Sequence, residues 1–367
     1  MPDKPLDRIL DLFLKRYLSR NPEQILPIDA LTGPPGRFLV VSSTAVGDTI
    51  LSTPAIKSLR RSFPGAFITA LFHRKVAPLF ADFPHVDAIV TYAGGYKHFW
   101  RTVKRLRQSR PEAALILHGN GPQDIPLAVF SGARYILKHP TETEYKKYLS
   151  GLIERKKQHV IEERLDLVRR IGGRDLDTTL EPPRTPGAET EKKISGLLAP
   201  GKTWIGFQMG AANIYKMWPG ERFRILAERI LLSSPDAAIV ITGTRKEKSL
   251  AEPVAAAFPG RVVNACGEFA VQEWPGLIQR LALLITNDTG TLHLAVALKV
   301  PTLSLFSATD SALIGPYQDP DRHRVIQKDG GSVQRLPKEK RTDEAMRLIT
   351  VDEVFEAYEH IMSDRSV

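Results

Sequence analysis

The chain has 367 residues, 43% of them apolar, with 51 Lys and Arg against 41 Asp and Glu; that is too long for one ordinary core and suits a globular protein of two domains of about 150 residues each. It holds no run of about 18 apolar residues, no signal-peptide core near its start and a single cysteine, Cys266, which argues against a membrane-spanning helix, an intrachain disulfide and a cysteine-cluster metal site, and predicts a cytoplasmic protein. The net charge of +10 lies wholly in residues 1–180, with 28 basic against 18 acidic side chains, while residues 181–367 hold 23 of each; this suits an anionic partner, and without zinc-finger spacing, an aromatic ribonucleoprotein motif or a long basic run it does not favour nucleic acid.

Residues 6–18 set Leu6, Ile9, Leu10, Phe13, Leu14, Tyr17 and Leu18 at helical spacing among Arg8, Lys15, Arg16 and Arg20. This amphipathic helix either docks on the body of the protein or lies on an anionic membrane face. Pro22, Pro27 and GPPG at 33–36 close a lead of residues 1–36. FLVVSS at 38–43 reads as a buried strand that turns through STAVGD into a helix, with Thr53 and Pro54 predicting a second cap and a restart. Gly47 and Asp48 then fall at the carboxyl end of the first strand, the edge where open parallel sheets bind ligands.

The pattern continues as a strand at 67–72, a short helix at 75–83, a strand at 88–92, a basic helix at 100–109 and a strand at 113–117 that ends in His118, Gly119 and Asn120. Such alternation predicts a parallel sheet covered by helices on both faces. His73, Arg74, Lys75, Lys97, His98 and Arg101 follow strand ends, where they either hold an anionic acceptor or form a solvated rim; His118 and Asn120 join the acceptor-site candidates. A helix at 162–171 precedes a proline-rich stretch, 174–202, that loses the apolar pattern and reads as a linker.

The second half begins with a strand at 204–208, a loop carrying Asn213 and Lys216, and a helix with Pro219 at its first position. A strand at 237–242 leads through Gly243 to a helix carrying Glu247; a strand at 262–265 and a helix at 271–281 follow. Leu283 to Ile285 then form a buried strand that runs through Asn287, Asp288 and Thr289 into a helix opening at Gly290, with Asp288 or Thr289 as its cap. The unpaired first-turn N–H groups and the positive end of the helix dipole make a cradle for a diphosphate; a plain capped helix start is the alternative. A strand at 301–306, a basic turn-rich segment at 315–345 and a closing helix at 351–362 complete the chain.

Three segments, VSSTAVGDTILSTPAIKSLRRSFP, GFQMGAANIYKMWPGERF and ITNDTGTLHLAVALKVPTLSLFSATD, resemble in order and spacing the bacterial glycosyltransferase family nine, best known for the ADP-heptose:lipopolysaccharide heptosyltransferases. The resemblance spans roughly residues 37–360 and implies the α/β fold called GT-B, two Rossmann-like parallel-sheet domains facing each other across a cleft: an acceptor domain at 37–180, a linker at 181–202, a nucleotide-sugar donor domain at 203–350 and a closing helix at 351–367. It implies an inverting, metal-independent transfer of heptose from ADP-heptose to a lipopolysaccharide core or related surface glycan, with domain closure, no cofactor, and peripheral contact with the cytoplasmic face of the inner membrane. It makes Asp48 the catalytic base, Lys216 the lysine on the donor phosphates, Asp288, Thr289, Gly290 and His293 the donor motif, and Glu247 a ribose contact. Ala211 and Ala212 depart from the Ser or Thr that many members place near the phosphates, leaving Asn213 as the nearest side-chain donor. A different nucleotide sugar, a protein acceptor, and an inactive scaffold of the same fold are the alternatives.

Overall fold

The short apolar runs that end in small polar residues become the strands of two parallel sheets. In the computed structural model, which describes residues 5–119, 121–139, 144–154, 156–184, 186–307, 309–328, 336–337 and 340–364, the chain divides into two compact units, 1–181 and 182–367.

In the first unit, β1 (Arg37–Ser42), β2 (Phe67–His73), β3 (Ala88–Tyr92), β4 (Ala113–His118) and β5 (Tyr135–Lys138) form one sheet in the order β3-β2-β1-β4-β5. Helices α1 (Pro5–Arg20), α2 (Val46–Ser62), α3 (Phe99–Gln108), α4 (Asp124–Ser131) and α5 (Val160–Arg170) accompany it. β1 is buried from Phe38 to Ser42, as a central strand covered on both faces must be. The chain winds outward from β1 to β3 and then returns to place β4 on the other side of β1. The crevice between β1 and β4 is therefore the topological switch point, where ligands bind in such sheets. Ser42 pairs with His118 there, across a shift of register at Val41.

The predicted restart at Thr53 and Pro54 does not occur: α2 runs unbroken from Val46 to Ser62. Pro54 has no N–H for the carbonyl of Ile50, which would leave that buried acceptor empty. The hydroxyl of Thr53 donates to it instead, at 2.7 Å. The short helix predicted at 75–83 shrinks to one tight turn, Ala77–Phe80. α4 and β5 escaped the sequence reading, because α4 is buried on every side and so shows no amphipathic period.

The second unit holds β6 (Thr203–Gln208), β7 (Ala237–Thr242), β8 (Val262–Asn264), β9 (Leu283–Asn287), β10 (Thr302–Phe306) and β11 (His323–Gln327), in the order β11-β10-β9-β6-β7-β8. Its helices are α6 (Ala188–Leu197), α7 (Gly220–Ser233), α8 (Lys248–Ala257), α9 (Trp274–Gln279), α10 (Gly290–Ala297), α11 (Ser311–Ile314), α12 (Glu344–Arg347) and α13 (Val351–Ser363). Here the switch point lies between β6 and β9, where Gln208 pairs with Thr286.

The stretch read as a linker contains α6, which packs by Ile194 close to Gly276 of α9; a Cβ there would come within 3.0 Å of Ile194. With Ile194 its one buried apolar side chain, α6 carries too little periodicity to be seen in the sequence. β11 was likewise hidden in the basic segment at 315–345. Pro219 is the residue before α7 rather than its first, and Glu247 closes a tight turn, Arg245–Glu247, ahead of α8. α13 opens with a capping box: Thr350 Oγ1 accepts from Glu353 N at 3.2 Å, and Glu353 accepts from Thr350 N at 2.9 Å. Its Val354 and Tyr358 join the core of the second unit.

Candidate functional site

In the first unit, the turn after β1 carries Asp48 into the first turn of α2, where the helix dipole favours a carboxylate. One oxygen accepts the Thr44 hydroxyl at 3.0 Å; the other lies 3.3 Å from His118 Nε2 at the end of β4. His118 Nδ1 is in turn 2.7 Å from Thr44 Oγ1. Burial lowers the imidazole pKa to about 4 despite the neighbouring carboxylate, with Arg164 and Lys138 opposing protonation as well. At pH 7 the ring is therefore neutral; with its proton on Nε2 it donates to Asp48, and the single Thr44 hydroxyl proton is then shared between Asp48 and the unprotonated Nδ1.

Behind Asp48 lies Arg164 of α5, whose side chain is 2% exposed. One guanidinium nitrogen donates to the Asp48 carbonyl at 2.6 Å and the other is 3.8 Å from its carboxylate. Among the described residues its Nε and Nη2 have no hydrogen-bond partner. Burial brings the guanidinium down to about 10, which still leaves it a cation at pH 7. Sequence reasoning missed Arg164, although a signal was present: it stands within the buried stripe Ile161, Leu165 and Val168, where an arginine needs a reason.

A second buried pair adjoins. Asp124 accepts from Ser43 Oγ at 3.1 Å and from Gly121 N at 3.2 Å, and Lys138 donates to the Gly119 carbonyl at 3.2 Å. Burial pushes Asp124 up and Lys138 down, and their mutual attraction opposes both shifts. A Cβ at Gly119 would sit 2.1 Å from the Asp124 carboxylate, so any larger residue there would displace that carboxylate from its present bonds.

Of the other acceptor-site candidates, Gly47 is buried in the first turn of α2. His73 ends β2, Arg74 and Lys75 follow it, and Lys97 precedes α3; these lie on the β2–β3 side of β1, away from His118. His73 Nδ1 accepts the Lys75 N–H at 3.2 Å, and burial lowers its pKa. Arg74, Lys75 and Lys97 are exposed. Asn120 lies outside the described residues.

The second unit repeats the arrangement at its own switch point. The loop after β6 brings Lys216 to Asp288, which follows β9, at 2.6 Å. Thr309 donates to the same carboxylate oxygen at 2.5 Å. Burial disfavours ionised Asp288, but Lys216, the Thr309 bond and His293 outweigh it and hold the carboxyl below its ordinary range. The loop itself is pinned by Asn287, whose carbonyl oxygen accepts Trp218 N at 3.0 Å while its amide donates to Met209 O at 2.7 Å. Thr289 precedes α10 in extended conformation and makes no side-chain cap. Asp288 does not cap either, because its carboxylate is turned to Lys216. Gly290 opens α10, and His293 is buried on it.

Glu247 is held by its own turn. It accepts from Thr244 N at 2.6 Å and Thr244 Oγ1 at 2.8 Å, and from Gln208 at 3.2 Å. It crosses Gly210 so closely that a Cβ there would meet it at 1.5 Å. Ala212 and Asn213 are exposed on the loop before Lys216. Among the described residues no group of three or more His, Cys, Asp or Glu is arranged to hold a metal ion, and no helix is long and apolar enough to cross a membrane.

Residues 143–344, more than half of the chain, match the family model described as glycosyltransferase family 9 (heptosyltransferase). The chain belongs to that family. The glycosyltransferase is 21% identical over 334 residues to lipopolysaccharide heptosyltransferase 3 of Escherichia coli K12, covering 87% of this chain and 96% of the relative. It is 25% identical over 307 residues to lipooligosaccharide heptosyltransferase 2 of Haemophilus influenzae, covering 77% and 86%. In fold it resembles the E. coli ADP-heptose lipopolysaccharide heptosyltransferase II with a TM-score of 0.74 at 20% identity, over 90% of this chain and all of the other. Its two parallel-sheet units are those of the GT-B class.

Proposed function

We propose that this glycosyltransferase moves heptose from ADP-heptose to a lipopolysaccharide core or a related surface glycan, with inversion. The observation that supports the reading is a partly exposed carboxylate, Asp48, at the switch point of the first sheet and a cation, Lys216, beside a helix N-terminus at that of the second. Asp48 takes the proton of the acceptor hydroxyl as that oxygen forms a bond to the anomeric carbon. The bond from that carbon to the diphosphate oxygen breaks, and ADP leaves with the electron pair. Lys216 and the first-turn N–H groups of α10 stabilise the charge that grows on the diphosphate. Asp288 holds Lys216 in place, and no metal or cofactor takes part in the proposed reaction. The basic excess of the first 180 residues favours an acceptor rich in carboxylates or phosphates, and a lipid-anchored acceptor calls for peripheral contact with the cytoplasmic face of the inner membrane.

The test is calorimetric titration with ADP, UDP and GDP, followed by transfer from ADP-heptose and assignment of the product anomer by nuclear magnetic resonance. ADP is expected to bind best. Lys216→Ala, made in an Asp288→Asn background to spare the fold, should weaken ADP about tenfold or more. Asp48→Asn should leave ADP affinity unchanged and lower turnover by about 10²–10⁴-fold. A preference for another nucleotide, or full turnover by Asp48→Asn, would overturn the assignment.

A further inference from the structure

Helix α1 buries its carboxylates and exposes its cations. Its two carboxylates, Asp7 and Asp11, are buried against the unit together with Leu10 and Leu14, and Asp11 is compensated by Lys15 at 2.6 Å. Leu6, Ile9, Leu12 and Phe13 point outward instead and are 51%, 49%, 68% and 50% exposed. This apolar strip continues onto α3, where Trp100, itself 50% exposed, meets Phe13 edge to face at 5.7 Å between ring centres. Arg8, Arg16 and Arg20 of α1 and Arg101, Lys104 and Arg105 of α3 are exposed around it. No exposed residue of either helix is acidic.

A helix that only anchored itself to the body of the unit would turn its large apolar side chains inward and its carboxylates to water. α1 packs Leu10 and Leu14 inward but buries both carboxylates and leaves four large apolar side chains outside, and a contiguous apolar patch rimmed by charge of one sign marks an interaction surface. A soluble partner would meet six cations with no carboxylate among them to set register. A sheet of anionic headgroups over an acyl layer matches both halves of the face without any register.

We propose that the outer face of α1 and the start of α3 dock this protein on an anionic lipid bilayer. Leu6, Ile9, Leu12, Phe13 and Trp100 enter the boundary between headgroups and acyl chains, and the basic rim reaches the lipid phosphates. This deepens the membrane contact of the proposed function and rests on that reading for where it acts; vesicles without glycan acceptor measure it separately, so either can fail alone.

The experiment is sedimentation of the full chain with vesicles of phosphatidylglycerol and phosphatidylcholine, or of phosphatidylcholine alone. Binding is expected to the anionic vesicles, to weaken with salt, to fall about fivefold for each of Arg8, Arg16 and Arg101 changed to Gln, and to drop at least tenfold in Ile9→Glu/Leu12→Glu. A second measurement needs no disruptive variant: brominated phosphatidylglycerol vesicles should quench the fluorescence of Trp100, and Trp100→Phe should remove the quenched component. Equal binding by Ile9→Glu/Leu12→Glu and the natural chain, or an unquenched Trp100, would overturn the proposal. So would a dimer in velocity sedimentation that Ile9→Glu/Leu12→Glu dissolves, because it would assign the face to a second copy of the chain.

Discussion

Replacing Lys216 by alanine should turn a stabilised carboxylate into a destabilising one, with a pH dependence of opposite sign. The Asp288 side chain is 6% exposed, and Lys216, 20% exposed, is its partner at 2.6 Å. Removing one member of a buried ion pair costs about 3–5 kcal/mol. The partial exposure of Lys216 and the remaining Thr309 bond put this case at the lower end, about 2–3 kcal/mol. In the natural protein the Asp288 carboxyl is held below its ordinary range. Its contribution is present above the ordinary carboxylate range and is lost as pH falls through the lowered folded value. Without Lys216, burial dominates and raises the carboxyl, so the destabilisation of the variant relative to the natural protein should shrink on acidification from pH 7 toward 5. Asp288→Asn in the same chain should bring stability back to within about 1 kcal/mol, a coupling that a double-mutant cycle isolates. Urea unfolding in a Trp100→Phe background reads the second unit, since Trp204, Trp218 and Trp274 all lie there. A Lys216→Ala protein as stable as the natural one at pH 7, or equally destabilised at pH 5 and 7, would refute the reasoning.

Three further outcomes follow from the first unit. His118 titrates at about 4 when folded and near 6.5 when unfolded, so the unfolded chain binds the extra proton between these values and stability should fall by about 2–3 kcal/mol from pH 6.5 to 4. His118→Asn should remove that contribution and leave the similar one from His323, also lowered to about 4 by burial; denaturant midpoints across this range check it. Thr53→Val should strand the Ile50 carbonyl beside Pro54 and cost about 1–3 kcal/mol, read as a lower melting temperature, whereas Thr53→Ser should cost less. Arg164→Met should lower transfer at least tenfold while changing stability by less than about 2 kcal/mol, because a hydrophobic side chain of similar volume removes the burial penalty on the guanidinium as well as its attraction to Asp48; equal turnover by the two proteins would remove Arg164 from the positioning of Asp48.

The sequence by itself determined the doubly alternating pattern, the carboxyl-edge placement of Asp48, Lys216 and Asp288, and the family, because buried strands followed by capped or proline-led helices leave strong local marks. It was silent where burial is complete or periodicity weak, as in α4, β5 and α6. Only the tertiary structure decided that β4 returns beside β1 and sets His118 against Asp48, 70 positions apart in the chain, and that Arg164 comes from α5 to lie behind both. Strand order is a matter of long-range pairing, which no local pattern encodes. The same holds for the bonds of Glu247 to Thr244 and its close approach to Gly210. It holds too for α1, where an amphipathic spacing fits either orientation of the helix: packing, by burying Asp7 and Asp11, decided which face looks outward.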